Sequence, residues 1–107
     1  MKISMWNIEE LNGYKPITTF WQDFSIADHF GKGAITDTYN RAFKEWKSDY
    51  KYLTELALVL NWKCWEHYEK GNKELSELYN KYWQVVDNYA YDNLKEQELR
   101  YYFEKTD

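Results

Sequence analysis

The sequence contains few of the residues that build covalent or metal frameworks. Its 107 residues include one cysteine and two histidines. A single cysteine cannot form an intramolecular disulfide, so nothing requires an oxidising compartment, and we expect a cytoplasmic protein. Cys64 and His67 are three residues apart and could place two metal ligands side by side, but a zinc site needs three or four ligands. With only His29 and carboxylates left to complete a site, we interpret both as packing residues and expect no metal and no cofactor.

The sequence also lacks an excess of positive charge and a long apolar run. Its formal net charge of −4 disfavours general nucleic-acid binding, which needs a concentrated positive surface. No apolar stretch approaches the length of about 20 residues that crosses a bilayer, so we expect no membrane association. The carboxylates are scattered over predicted solvent faces and do not converge near a nucleophile. We therefore expect the protein not to be an enzyme.

Proline and glycine, which interrupt helices, are scarce, whereas aromatic residues make up 21 % of the chain. From Ile35 onward the apolar positions recur in steps of mostly three and four, which is typical of an amphipathic helix. This periodicity continues through Ser48 and Asp49 and allows either one helix or two over residues 34–70. One helix of that extent would be roughly 55 Å long, too long for a compact domain of this size. We expect a break at Ser48 and Asp49, which are favoured N-cap residues.

Capping signals predict the other helix boundaries. Thr19 and Gln22 have the spacing of a capping box, and a helical stripe follows at Phe20, Phe24, Ala27 and Phe30 before Gly31. Gly71 and Asn72 suit the end of one helix and the start of the next. We predict one all-α domain over residues 1–107, a small bundle of three to four helices with an irregular N-terminal arm. The arm is residues 1–18, and the helices span about 20–30, 34–47, 50–70, 73–94 and a short 96–103, with Leu99 and Phe103 facing inward.

One segment resembles a DNA-binding helix-turn-helix. Ala27 and Gly31 have the spacing of that motif, and the following helix carries cations that could contact phosphates. The second half departs from the pattern, because Ile35 and Tyr39 come about two residues earlier than the apolar positions of a recognition helix. In addition, Lys32 occupies a normally apolar position and Asp37 would point toward DNA. A DNA-binding regulator with a degenerate motif around residues 24–47 is therefore the alternative function, and its DNA-binding residues would be Lys32, Arg41, Lys44 and Lys47.

Longer stretches of the chain resemble a different family. These stretches are Thr18–Phe24, Asp37–Lys47, Tyr50–Leu56 and Leu60–Lys63, together with the ending Thr106–Asp107. They are similar to a family of small uncharacterised all-helical proteins found on conjugative and other mobile elements of gut bacteria. The resemblance covers nearly all residues after about Tyr14. It implies an accessory protein and no particular activity or site residues.

The aromatic content favours a binding function. A chain this short cannot fully bury so many aromatic side chains, and Tyr and Trp at a surface are favoured interface residues. We predict a small non-catalytic protein-interaction or accessory module. Its partner would be another protein or a second copy of the chain in a homodimer, with nucleic acid as the alternative partner and no membrane.

Overall fold

Five helices make up residues 19–106, which are the residues that the structure, a computed structural model, describes. The predicted arm at residues 1–18 lies outside them, as does Asp107. The helices are α1 (Phe20–Asp28), α2 (Lys32–Trp46), α3 (Tyr50–Glu69), α4 (Lys73–Asn93) and α5 (Glu96–Thr106). Residues 19–106 contain no β-strand, so the predicted all-α class is confirmed.

The helix count differs from the predicted bundle of three to four. The two short helices, α1 and α5, pack as full members of the bundle because each buries a large aromatic side chain, Phe24 and Tyr102. Leu99 and Phe103, predicted to face inward, are half-buried and pack against the core, and Tyr102 is fully buried. Within the described residues, no helix has both the length and the apolar character needed to cross a bilayer.

Three short connections join the first four helices. At the first, Gly31 adopts a φ of +98°, and its N–H donates to the carbonyl oxygen of Ala27 at 3.1 Å. At the second, the chain leaves α2 after Trp46, and the carboxylate of Asp49 caps α3 by accepting from the N–H groups of Lys51 at 3.1 Å and Tyr52 at 3.3 Å. The break between α2 and α3 therefore has a local cause in the N-cap preference of aspartate.

The third connection reverses the chain between α3 and α4. Gly71 has a φ of +79°, its N–H donates to the Tyr68 carbonyl at 3.1 Å, and the Asn72 N–H donates to the His67 carbonyl at 2.8 Å. These two bonds form a Schellman motif, which satisfies the last carbonyls of α3.

Two predicted N-caps do not form through their side chains. Thr19 precedes α1 but makes no side-chain capping bond, and its hydroxyl instead donates to Asp23 Oδ2 at 3.3 Å, so the predicted capping box with Gln22 is wrong. Asn72 precedes α4 without capping it, because its side-chain amide lies against His67.

Helix α3 is the centre of the molecule and contacts all four other helices. Every residue from Leu53 to Asn61 is buried, which explains why its sequence is apolar over most of its circumference. On one side of it, Tyr39 of α2 stacks on Tyr82 of α4 with ring centres 4.1 Å apart. This stack joins α2 directly to α4, and both helices also contact α3.

Candidate functional site

A cluster of charged and polar side chains lies where the end of α1 meets α3 and α4. Asp28 is the last residue of α1, while Lys63, Glu66 and His67 lie on one face of α3, and Tyr79 projects from α4. The side chain of Lys63 is only 3 % exposed. We call these five residues the Asp28 cluster.

The carboxylate of Asp28 is the centre of the cluster. Its Oδ2 accepts from Lys63 Nζ at 2.8 Å, and its Oδ1 accepts from the Tyr79 hydroxyl at 2.6 Å. Lys63 Nζ also donates to Glu66 Oε2 at 3.1 Å and lies 4.6 Å from the centre of the Trp21 ring. One buried ammonium thus bridges two carboxylates and is covered by an aromatic face, an arrangement that favours a cation.

His67 is held on three sides. Its ring stacks on Tyr79 at 5.5 Å, and Asn72 Nδ2 lies 3.2 Å from its Nδ1. Its Nε2 lies 3.1 Å from Asp28 Oδ1, but this approach is not aligned as a hydrogen bond. Cys64 is not part of the cluster, since its sulfur lies 3.5 Å from the Ser76 hydroxyl.

This geometry shifts the pKa values of Asp28 and Tyr79 in opposite directions. Burial raises the pKa of the Asp28 carboxyl, but the hydrogen bonds from Lys63 and Tyr79, the Lys63 charge and the contact with His67 outweigh burial and hold the pKa below its usual value. Burial, together with the hydrogen bond to Asp28 and the negative charge there, raises the pKa of Tyr79. Asp28 therefore stays an ionised acceptor and Tyr79 a neutral donor at neutral pH.

Asp28, Glu66 and His67 could hold a metal ion, because they place three ligand atoms within 4.8 Å of one another. The Lys63 ammonium contacts both carboxylates and supplies the positive charge that a metal would bring. The expectation that carboxylates do not converge is wrong for Asp28 and Glu66. Because the ammonium and the imidazole are buried and packed against their partners, the cluster mainly fixes α1 onto α3 and α4.

The four residues predicted to bind DNA in the alternative function are all exposed and lie on α2 or just after it. Lys32 Nζ lies 2.9 Å from Glu74 Oε2, and Arg41 lines the same surface cavity as the carboxylates of Asp23 and Asp37. Lys32 and Arg41 are nine residues apart, which places them on opposite sides of an α-helix. The structure therefore does not gather Lys32, Arg41, Lys44 and Lys47 on one face.

A surface groove runs between α1 and α2. It consists of two adjoining cavities of about 340 and 260 Å³ that share Asp23, Thr38 and Arg41. The larger cavity extends toward the α1–α2 turn, and the smaller one extends toward the start of α1 and the end of α2. The remaining lining residues are Ile26, Ala27, Phe30, Ala34 and Asp37 in the larger cavity, and Thr19, Phe20, Ala42, Glu45 and Trp46 in the smaller one.

Two large apolar side chains of this groove face solvent. Ile26 is 52 % exposed and Phe30 is 77 % exposed, and they are four residues apart. The predicted inward stripe of α1 is therefore wrong at Phe30, because the helix ends at Asp28 and the chain turns at Gly31 before Phe30 can reach the core. A sequence signal was available, since Ile26 and Phe30 lie to one side of the stripe through Phe20, Phe24 and Ala27.

No protein family, curated protein or solved structure was found to match the chain. The resemblance to the mobile-element family therefore stays a prediction. The function has to be argued from the α1–α2 groove and the Asp28 cluster themselves.

Proposed function

We propose that the protein is a small non-catalytic interaction module that binds a segment of another protein in the α1–α2 groove. The observation that carries this proposal is the exposed apolar pair formed by Ile26 of α1 and Phe30 of the turn that follows it, which both line the groove. Single exposed apolar residues are ordinary on protein surfaces. Two that lie four residues apart and border the same groove are typical of a binding surface. If the resemblance to the mobile-element family holds, the module would be an accessory protein.

The walls of the groove are fixed by the core, which supports a binding role. The two helices that form it both contribute to the core, because Phe24 and Ala27 of α1 and Ile35 of α2 are buried. The Asp28 cluster holds the end of α1 against α3 and α4. A surface that is ordered before binding loses less conformational entropy on association than a mobile one.

The buried ionisable groups support a role without catalysis. A general acid or base must come within hydrogen-bond reach of its substrate. Lys63 is only 3 % exposed and its ammonium is already engaged by Asp28 and Glu66. We therefore assign the Asp28 cluster to the stability of the groove.

Selection from a displayed library of random peptides tests the proposal. Peptides that bind the protein should lose at least about tenfold in affinity to the double variant Ile26→Ser/Phe30→Ser, because two apolar contacts of about 1 kcal/mol each are removed. The matched control is Val85→Ser, which removes an exposed apolar side chain from α4, away from the groove. Circular dichroism should show both variants folded. If no selected peptide depends on Ile26 and Phe30, or if Val85→Ser weakens binding equally, the groove is not the binding surface.

A DNA-binding regulator is the second candidate. The observation that favours it is the turn at Gly31, which joins α1 and α2 four residues after Ala27 in the manner of a helix-turn-helix. The ion pair of Lys32 with Glu74 and the carboxylates beside Arg41 weaken this reading. Size-exclusion chromatography with light scattering, with and without a DNA duplex at low salt, separates the candidates. A complex with DNA that dissociates steeply as salt rises would favour the regulator.

A further inference from the structure

We infer that the segment bound in the α1–α2 groove is a basic amphipathic helix of the partner protein, an inference that rests on the proposed function. The groove carries three carboxylates, Asp23, Asp37 and Glu45, and one cation, Arg41. All four side chains are exposed. Three negative charges and one positive charge leave an excess of two negative charges along the groove.

These charges are available to a ligand. Within residues 19–106, none of the four side chains forms an ion pair. Asp23 accepts a hydrogen bond from the Thr19 hydroxyl at 3.3 Å. Lys32 of α2 is paired with Glu74, and neither of these residues lines the groove. An incoming cation therefore does not have to displace an existing ion pair to reach the carboxylates.

The spacing of the charges fits a helical ligand. Asp37, Arg41 and Glu45 follow one another at four-residue steps along α2, which corresponds to about 6 Å between successive residues. The groove extends from Ala34 to Trp46, or about 18 Å along the helix axis, which matches three turns of a bound helix. Such a ligand would place apolar side chains at i and i+4 against Ile26 and Phe30 and basic side chains against Asp37 and Glu45.

Charge also argues against the chain's own N-terminal segment as the occupant. Residues 1–18 contain two lysines and two glutamates, namely Lys2, Lys15, Glu9 and Glu10. Their side chains therefore carry no excess of positive charge to complement the groove. A separate basic segment fits it better.

Three synthetic helical peptides of 14 residues test the inference. They share one apolar pattern at i and i+4 and carry lysine, glutamine or glutamate at the positions predicted to face Asp37 and Glu45; a scrambled lysine peptide controls for nonspecific attraction. Fluorescence anisotropy should show the lysine peptide binding at least about tenfold more tightly than the glutamate peptide, with the difference shrinking at high salt. Equal binding of the three peptides, or equal binding of the scrambled peptide, would overturn the inference.

Variants of the protein separate this inference from the proposed function. Asp37→Asn/Glu45→Gln should weaken the lysine peptide by about five- to tenfold, whereas the matched change Arg41→Gln should strengthen it. Ile26→Ser/Phe30→Ser should weaken all three peptides. If Ile26→Ser/Phe30→Ser weakens binding but the charge variants do not, the inference of a basic ligand is wrong, while the groove remains the proposed binding surface. If the Ile26→Ser/Phe30→Ser variant binds the peptides as well as the unaltered protein does, the proposed function and the basic ligand are both wrong. A dimer of the protein that Phe30→Ser dissociates would also overturn both.

Discussion

Lys63 is the side chain on which the Asp28 cluster depends. Its ammonium is bound by Asp28 and Glu66 and lies over the ring of Trp21, so it connects α1 with α3 in two ways. A buried charge whose partner is removed stays uncompensated, which costs more than the pair itself contributes. Substitution of Lys63 should therefore weaken the attachment of α1, one of the two helices that form the groove, to α3.

Replacing Lys63 by methionine should lower the free energy of unfolding by about 3 kcal/mol, because Asp28 and Glu66 would then repel each other without a cation. Urea denaturation followed by far-UV circular dichroism measures the change. Lys70→Met is the matched control, since Lys70 lies 3.9 Å from the same Glu66 carboxylate but is mostly exposed. It should change stability by less than about 1 kcal/mol. Similar effects of the two substitutions would contradict a structural role for the cluster.

The cluster could not be assembled from the sequence because its members are far apart along the chain. Asp28, Lys63 and Tyr79 meet only once three helices pack together. A charged residue inside the apolar run around Lys63 was the available signal. Periodicity identifies such a residue as unusual but does not identify its partner.

At the scale of the elements, two connections between helices depend on a glycine with positive φ, namely Gly31 before α2 and Gly71 after α3. Gly71 terminates α3 with a φ of +79°, while Gly33 lies within α2. A Cβ added at either position would meet no atom within 4 Å. The two positions therefore differ in backbone conformation and not in available space.

Gly71→Ala should destabilise the protein by about 1 kcal/mol, because an alanine at positive φ is strained. Gly33→Ala should instead stabilise it by up to about 1 kcal/mol, since alanine is the better helix former. Thermal or urea unfolding of the two variants measures both signs. Equal effects of the same sign would show that the Schellman turn does not require glycine.

The helices lie close to their predicted ranges because periodicity and cap residues are local signals. The helices predicted at 50–70 and 73–94 are found at Tyr50–Glu69 and Lys73–Asn93. Asp49 caps the start of α3, and Gly71 follows its end. The start of α2 and the end of α1 each differ from the prediction by two residues, and the end of α5 differs by three. At the end of α1, the apolar character of Phe30 suggested that the helix continued. Hydrophobicity alone does not distinguish a core residue from an exposed residue of a binding surface.

At the scale of the whole molecule, stability should fall at both ends of the pH range. The pKa of Asp28 is below its unfolded value, so its contribution is present above about pH 4 and is lost as the pH falls through the folded pKa. Burial, with a smaller contribution from Tyr82, raises the pKa of Tyr39 to about 12. Its contribution is therefore constant below about pH 10 and is lost as the pH rises toward the folded value.

Urea denaturation between pH 2 and pH 11.5 measures this profile. Asp28→Asn should be less stable at pH 7 but should lose less stability between pH 5 and pH 2. Tyr39→Phe, which keeps the ring stacked on Tyr82, should reduce the loss at alkaline pH. Variants whose profiles run parallel to that of the unaltered protein would contradict both assignments.

The all-α class of residues 19–106 could be predicted because proline is scarce and apolar residues recur at helical spacing. The α1–α2 groove could not, since the exposure of Ile26 and Phe30 depends on how α1 lies against α2. Nor does the sequence show which charges remain unpaired. Those properties arise from tertiary packing and carry the functional proposals.

The contact between Trp21 of α1 and Trp62 of α3 has an optical consequence. The two indole rings lie 4.3 Å apart and are tilted by 53°. Electronic transitions of chromophores this close and this skewed couple, and coupled transitions have rotational strength in the near ultraviolet. The protein therefore carries an intrinsic spectroscopic signal for the docking of its first helix, and this signal can disappear while the helical content remains unchanged.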